Sequence, residues 1–113
     1  MSKYRAIKTV VDGITFDSKA EARRYGELIM LERAGRISGL TRQVSYELAK
    51  GVKFEGEKRA KPPLRYIADF VYCDIDAGGV IVCEDVKGVQ TPLFRAKRHW
   101  MLAVHGVQVR VTS

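Results

Sequence analysis

The apolar positions along the chain follow two different periods. Between Ser18 and Ala34, Ala22, Tyr25, Leu28 and Ile29 recur on one helical stripe, and Gly35 follows as a C-terminal stop, which predicts a first helix. Gln43 to Val52 and Leu64 to Cys73 are rich in β-branched and aromatic residues and read as strands, separated by a basic segment containing Gly and Pro. Val80 to Lys87 is a third such strand. Thr91-Pro92 then supplies an N-cap with Pro at the first helical position, opening a helix to about His105 that Gly106 ends. Val107, Val109 and Val111 alternate with polar residues as a final strand. Ahead of all this, Asp12-Gly13 is a turn signal between two short β-prone pieces, a weak edge hairpin.

The resulting order is αβββαβ. A helix between the third and last strands implies that these two run parallel, joined by a right-handed crossover. The expected fold class is therefore α/β, a mixed β-sheet flanked by two helices. It forms one domain over residues 1–113, with a short basic N-terminal arm and hairpin over residues 1–16. A three-residue loop of Ala77, Gly78 and Gly79 would pair Asp76 with Val80, Cys73 with Cys83, Val71 with Asp85 and Asp69 with Lys87.

Charge narrows the class of partner. The chain has 20 Lys and Arg against 13 Asp and Glu, a formal charge of +7, which favours a polyanion such as nucleic acid. Basic proteins that merely stay soluble by self-repulsion are the plain alternative. The N-terminal stretch has no apolar run long enough for a signal peptide, and nowhere do 18 apolar residues follow one another, so a cytoplasmic protein without a membrane partner is expected. Cys73 and Cys83 lack CxxC spacing, and His99 and His105 lie on a later segment, which argues against zinc.

The pairing above sets Asp69, Asp85 and Lys87 on one face of two neighbouring strands, with Cβ atoms roughly 5 to 8 Å apart. Two carboxylates at that spacing suit Mg²⁺, which takes oxygen ligands and keeps several waters, while a Lys beside them can orient a water and neutralise charge on a phosphorane. The plain alternative is a solvated ion pair worth under about 1 kcal/mol. Against it, Asp69 stands between Ile67 and Val71 and Asp85 lies two residues from Cys83, so both interrupt apolar strand faces.

Other candidates carry two readings each. Ser18-Lys19-Ala20-Glu21 is a capping box, yet Glu21 also heads the stripe that faces the sheet. Lys97 sits amid Leu93, Phe94, Trp100 and Met101, either snorkelling to water or reaching a phosphate. Lys50, Lys53, Lys58, Arg59, Lys61 and Arg65 outweigh Glu55 and Glu57, either as a solvated charge run or as a clamp on a nucleic-acid backbone. Gln43 is either a site-lining residue or a plain polar strand end.

FDSKAEARRYGELIMLERAGRI, RQVSYEL, YIADFVY and VCEDVKG together resemble the small phage and prophage nucleases of the PD-(D/E)XK superfamily, over about residues 14 to 112. The resemblance implies a restriction-endonuclease-like core and a metal-dependent DNA endonuclease in the cytoplasm of a bacterial host. It would use Mg²⁺ or Mn²⁺, leave 5′-phosphate ends and act on duplex or branched DNA, as Holliday-junction resolvases and transposon endonucleases do. It implies Glu21 as the helix-borne acid, Asp69 as the motif Asp, Asp85 as the second acid and Lys87 as the motif Lys, with Glu21, Asp69 and Asp85 toward the metal. Lys58, Arg59, Lys61, Arg65 and Lys97 would contact DNA. Two departures stand out: Ala68 replaces the usual Pro, and Glu84 precedes Asp85, so that a bulge would exchange the two acids. A homodimer stays open as an arrangement, no small-molecule cofactor is expected, and a non-catalytic nucleic-acid-binding module with the same fold is the rival reading.

Overall fold

Local signals start and stop the helices. In the computed structural model, which describes residues 8–113, Thr9–Val11 (β1) and Ile14–Phe16 (β2) form an antiparallel hairpin through Asp12 and Gly13. Both turn residues have positive φ, 51° and 77°, as a type I′ hairpin turn demands. The basic arm ahead of this hairpin, expected over the first residues, lies outside the described residues except for its last positions. Lys19–Arg33 (α1) begins at Ser18, whose Oγ accepts a hydrogen bond from the Glu21 amide, and closes over Ala34 and Gly35. Pro92–His105 (α2) begins at Thr91, whose Oγ1 accepts from the Phe94 amide, and ends on Gly106 in the left-handed region. Neither helix is long and apolar enough to cross a membrane.

Four strands make the central sheet, in the order Ile37–Ala49 (β3), Leu64–Asp74 (β4), Val80–Val86 (β5) and Val109–Thr112 (β6). The first three are antiparallel neighbours, and β6 returns from α2 parallel to β5. The mixed sheet with two flanking helices is thus as the sequence predicts, after the leading hairpin. β3 differs: it starts six residues earlier than expected and stops at Ala49. Ser38 and Gly39 carry little strand propensity, but a bulge with Gly39 at φ 64° carries the strand through them.

The turn between β4 and β5 also differs from expectation. Ile75–Ala77 forms one turn of 3₁₀ helix, capped by the Asp74 side chain accepting from the Ala77 amide, and Gly78 and Gly79 follow at φ 82° and 85°. Asp74, not Asp76, therefore faces Val80, Cys73 faces Ile81 and Cys83 faces Val71. The cysteines are not opposite one another, and both are free thiols. The register moves by two residues. Because strand sides alternate with period two, an even shift keeps every side chain on its intended face.

Two apolar layers enclose the sheet. Phe70, Tyr72 and Val82 pack with Phe16 of the hairpin and Ala22 and Leu28 of α1, whereas Cys83 and Val109 pack with Phe94 and Met101 of α2. Tyr66 and Ala68 share parity with Phe70 and Tyr72, yet they belong to the α2 layer. The change of side falls at Asp69, beside Gln43 of β3, a non-glycine residue held at φ 54°. The sheet thus switches faces where the acids lie.

Glu84 locks α1 to this sheet. It is fully buried, accepts from both Nε and Nη2 of Arg24 on α1, from Tyr72 Oη at 2.7 Å, and from Thr112 Oγ1 on β6 at 3.2 Å. A buried carboxylate so fully satisfied is tolerated, but removing it strands its partners. Glu84→Ala is expected to lower folding stability by about 3 kcal/mol in urea denaturation, and Glu84→Gln by less. A loss no larger than that of an average surface substitution would show that the network does not hold α1.

Candidate active site

Asp69 reaches the centre of the sheet from β4 and Asp85 from β5. One step beyond the pair of Phe70 with Glu84, the antiparallel register sets these two residues opposite each other. The two carboxyls interact electrostatically across the strand pair, and Asp69 Oδ2 accepts from the Val86 amide at 2.8 Å. Asp85 is almost wholly buried. Lys87, two residues further along β5, turns Nζ to 3.7 Å from Asp85 Oδ2 and over the Phe94 ring at 5.1 Å. Its backbone amide stays tied to the Thr112 carbonyl at 2.8 Å, which fixes the base of the side chain.

Glu21 approaches from the first turn of α1. Its amide is spent on the Ser18 cap, while its carboxylate accepts from Gln43 Nε2 at 3.4 Å and lies 3.8 Å from Arg42 Nη2. Only the Ser18 half of the capping box forms: the Glu21 amide donates to Ser18 Oγ, while the Glu21 side chain, instead of returning to the Ser18 backbone, faces the sheet. Gln43 lines this corner as well. Glu84 lies on the opposite face with Arg24, away from the acid pair.

A cleft of about 280 Å³ opens beside the acids, with Asp85, Lys87 and Tyr66 inside it and Arg65 and Lys97 on its walls. Lys97 thus leaves the apolar face of α2 toward the site. Lys58, Arg59 and Lys61 stand apart, exposed on the segment between β3 and β4, where Lys61 pairs with Glu57 at 3.0 Å.

Two contributors escape sequence reasoning. Arg42 stacks over Phe16, 4.4 Å from its ring centre, and its buried Nε has no hydrogen-bond partner among the described residues. Tyr66 Oη, close to Asp85, is likewise buried without a partner. By simple alternation Tyr66 would point away from Asp69; only the change of side at Gln43 brings it in. No residue type signals that change, since positive φ at a glutamine is not legible in sequence.

Electrostatically the site holds too much negative charge for its burial. Burial pushes the Glu21 carboxyl up to about 7, and the charges of Asp69 and Asp17 add to this against the pull of Arg42 and Lys87. Burial also raises Asp69 well above the usual carboxylate range, reinforced by the neighbouring Asp85 carboxyl, against the pull of the Val86 amide and Lys87. Burial and the same acids push the Tyr66 hydroxyl up. Among the described residues no group of three or more His, Cys, Asp or Glu is arranged to hold a metal ion. The acid pair nonetheless suits a hard cation that takes one or two carboxylates and keeps its waters. An orphaned hydroxyl beside the pair offers a hydrogen bond to such a water.

A family model described as a protein of unknown function (DUF1064) matches residues 1–112. No curated protein and no solved structure matches the chain.

The raised carboxyls make stability depend on pH. In the folded protein Glu21 and Asp69 keep protons that the unfolded chain, with values of 4.5 and 3.8, has already released. Their contribution is full below about pH 4 and is lost as pH rises through about 7. In the presence of chelator, the melting temperature should fall between pH 5 and pH 8, and Asp69→Asn should flatten that fall. A wild-type melting temperature that rises over this range would contradict the burial of these acids.

Proposed function

The chain therefore belongs to the DUF1064 family, and from this site we propose that it is a metal-dependent endodeoxyribonuclease, hydrolysing phosphodiester bonds in DNA with Mg²⁺ or Mn²⁺. Its α/β fold resembles the PD-(D/E)XK restriction-endonuclease-like fold. One observation carries the reading. Buried Asp85 and half-buried Asp69 come together from adjacent strands, Asp85 lining a basic cleft, with Lys87 two residues beyond it.

Each residue then has a task. Asp69 and Asp85 would hold the cation, with Glu21 adding negative charge behind them. When bound, the cation supplies Lewis acidity toward a phosphate oxygen and makes water a stronger nucleophile at neutral pH. Arg65 and Lys97, on the walls, draw the DNA backbone into the cleft. Lys87 neutralises charge as it develops on the phosphorus and, held between Asp85 and Phe94, is already aimed when substrate arrives. Phe94 and Leu93 cover one side and limit water around the reacting phosphate.

One observation favours the rival reading, a non-catalytic nucleic-acid-binding module: the absence of a three-ligand group among the described residues. The two readings separate in a cleavage assay. The nuclease should nick or cut DNA only with a divalent cation, and Asp69→Asn should slow cleavage more than about a hundredfold while DNA affinity changes little. Glu21→Gln, which preserves the amide of the Ser18 cap, should lower the rate without lowering the melting temperature. Cleavage by Asp69→Asn at the wild-type rate would remove the acid pair from the reaction, and metal-independent binding with no cleavage by the wild type would establish the binding module.

A further inference from the structure

The segment between β3 and β4 is built as a stiff ribbon. Val52 and Lys61 pair as an isolated antiparallel bridge, with the Val52 amide donating to the Lys61 carbonyl at 3.2 Å and the Lys61 amide returning the bond at 2.6 Å. Gly51 makes the approach possible: a Cβ there would sit 2.6 Å from the Lys61 carbonyl oxygen. The Phe54 carbonyl accepts from the Glu57 amide at 3.1 Å and closes the tip, with Gly56 at φ 83°. Pro62 and Pro63 stiffen the return toward β4.

This ribbon presents apolar surface to water. Val52, Phe54 and Leu64 are each about half exposed, at 51%, 56% and 47%, and with Pro63 they wall a slot of about 420 Å³. That volume lies within the range of ligand clefts. Lys50 and Lys61, the latter paired with Glu57 at 3.0 Å, stand at its edge, and Lys53, Lys58 and Arg59 outweigh Glu55 and Glu57 on the same ribbon. An apolar slot with an aromatic wall and a cationic rim matches one chemistry closely: a flat nucleobase joined to a phosphate backbone.

We propose that this slot receives an unpaired base of a DNA strand, with Phe54 stacking on the base while Lys50 and Lys61 hold the adjacent phosphates. The proposal rests on the nuclease reading for its substrate and deepens it, favouring DNA with an unstacked base over uninterrupted duplex. The distance from slot to acids follows from the fold. Leu64 lies at the slot and Asp69 in the acid pair, five residues apart on β4, roughly 17 Å at the usual rise of a strand.

The test is a binding comparison in chelator, so that no strand is cut. A duplex carrying one unpaired 2-aminopurine and the matching fully paired duplex are each titrated with the full chain, reading anisotropy and 2-aminopurine fluorescence. The wild type should bind the interrupted duplex about tenfold more tightly, with fluorescence quenched by stacking. Phe54→Ala and Phe54→Leu should abolish both the preference and the quenching, and Phe54→Tyr should keep them. Lys58→Ala with Arg59→Ala should weaken both duplexes alike. Equal binding of the two duplexes by the wild type, or a preference that survives Phe54→Ala, overturns the proposal. Because cleavage plays no part in the readout, a discriminating protein that cuts nothing would sink the nuclease reading and still support the slot. A nuclease that binds both duplexes equally would do the reverse.

Discussion

Two consecutive acids on one buried strand, Glu84 and Asp85, point into opposite layers, and much of the structure serves to satisfy both. A strand buried on both faces normally reads as continuous apolar sequence, because an unpaired carboxylate inside a protein is costly. Glu84 is answered by Arg24, Tyr72 and Thr112, one group each from α1, β4 and β6, so its charge joins three elements around β5. Asp85 receives no such answer. Its neighbours are another acid, an orphaned phenol and a lysine at 3.7 Å. The first acid is a structural fastening, and the second is the one that the proposed cation would answer.

The geometry of that second acid depends on a local distortion. Gln43 at φ 54° and Asp69 opposite it mark the point where β4 stops feeding the α2 layer and begins feeding the α1 layer. Backbone held in a sparsely populated region persists only when its surroundings over-determine it, and such residues gather at functional sites. Here the distortion lets Glu21 from one layer and Tyr66 from the other approach the same pair of carboxyls. A regular sheet would have kept them on separate faces.

How much of this was legible in the sequence varies with how local the signal is. Ser18, Thr91-Pro92 and Gly106 place the helix ends well because caps are decided within a few residues. The start of β3 was not visible, since Ser38 and Gly39 belong to a bulge that only pairing with β4 sustains. The β4–β5 register departs from the sequence expectation because the Asp74 side chain closes a longer turn than Asp76 would. The acids still converge, because the error was an even number of residues. Asp69, Asp85 and Lys87 were therefore recoverable from strand alternation and from family resemblance, whereas Arg42 and Tyr66 were not, because their place depends on the backbone at Gln43.

The central claim is that Asp69 and Asp85 together form a cation site. It is tested most directly by crystals soaked in Mn²⁺ above pH 7, with diffraction recorded to reveal the anomalous signal of manganese. A Mn²⁺ peak is expected between the two carboxyl groups, with an oxygen of each coordinating the ion. Clear density for both carboxyls with no anomalous peak beside them would contradict it.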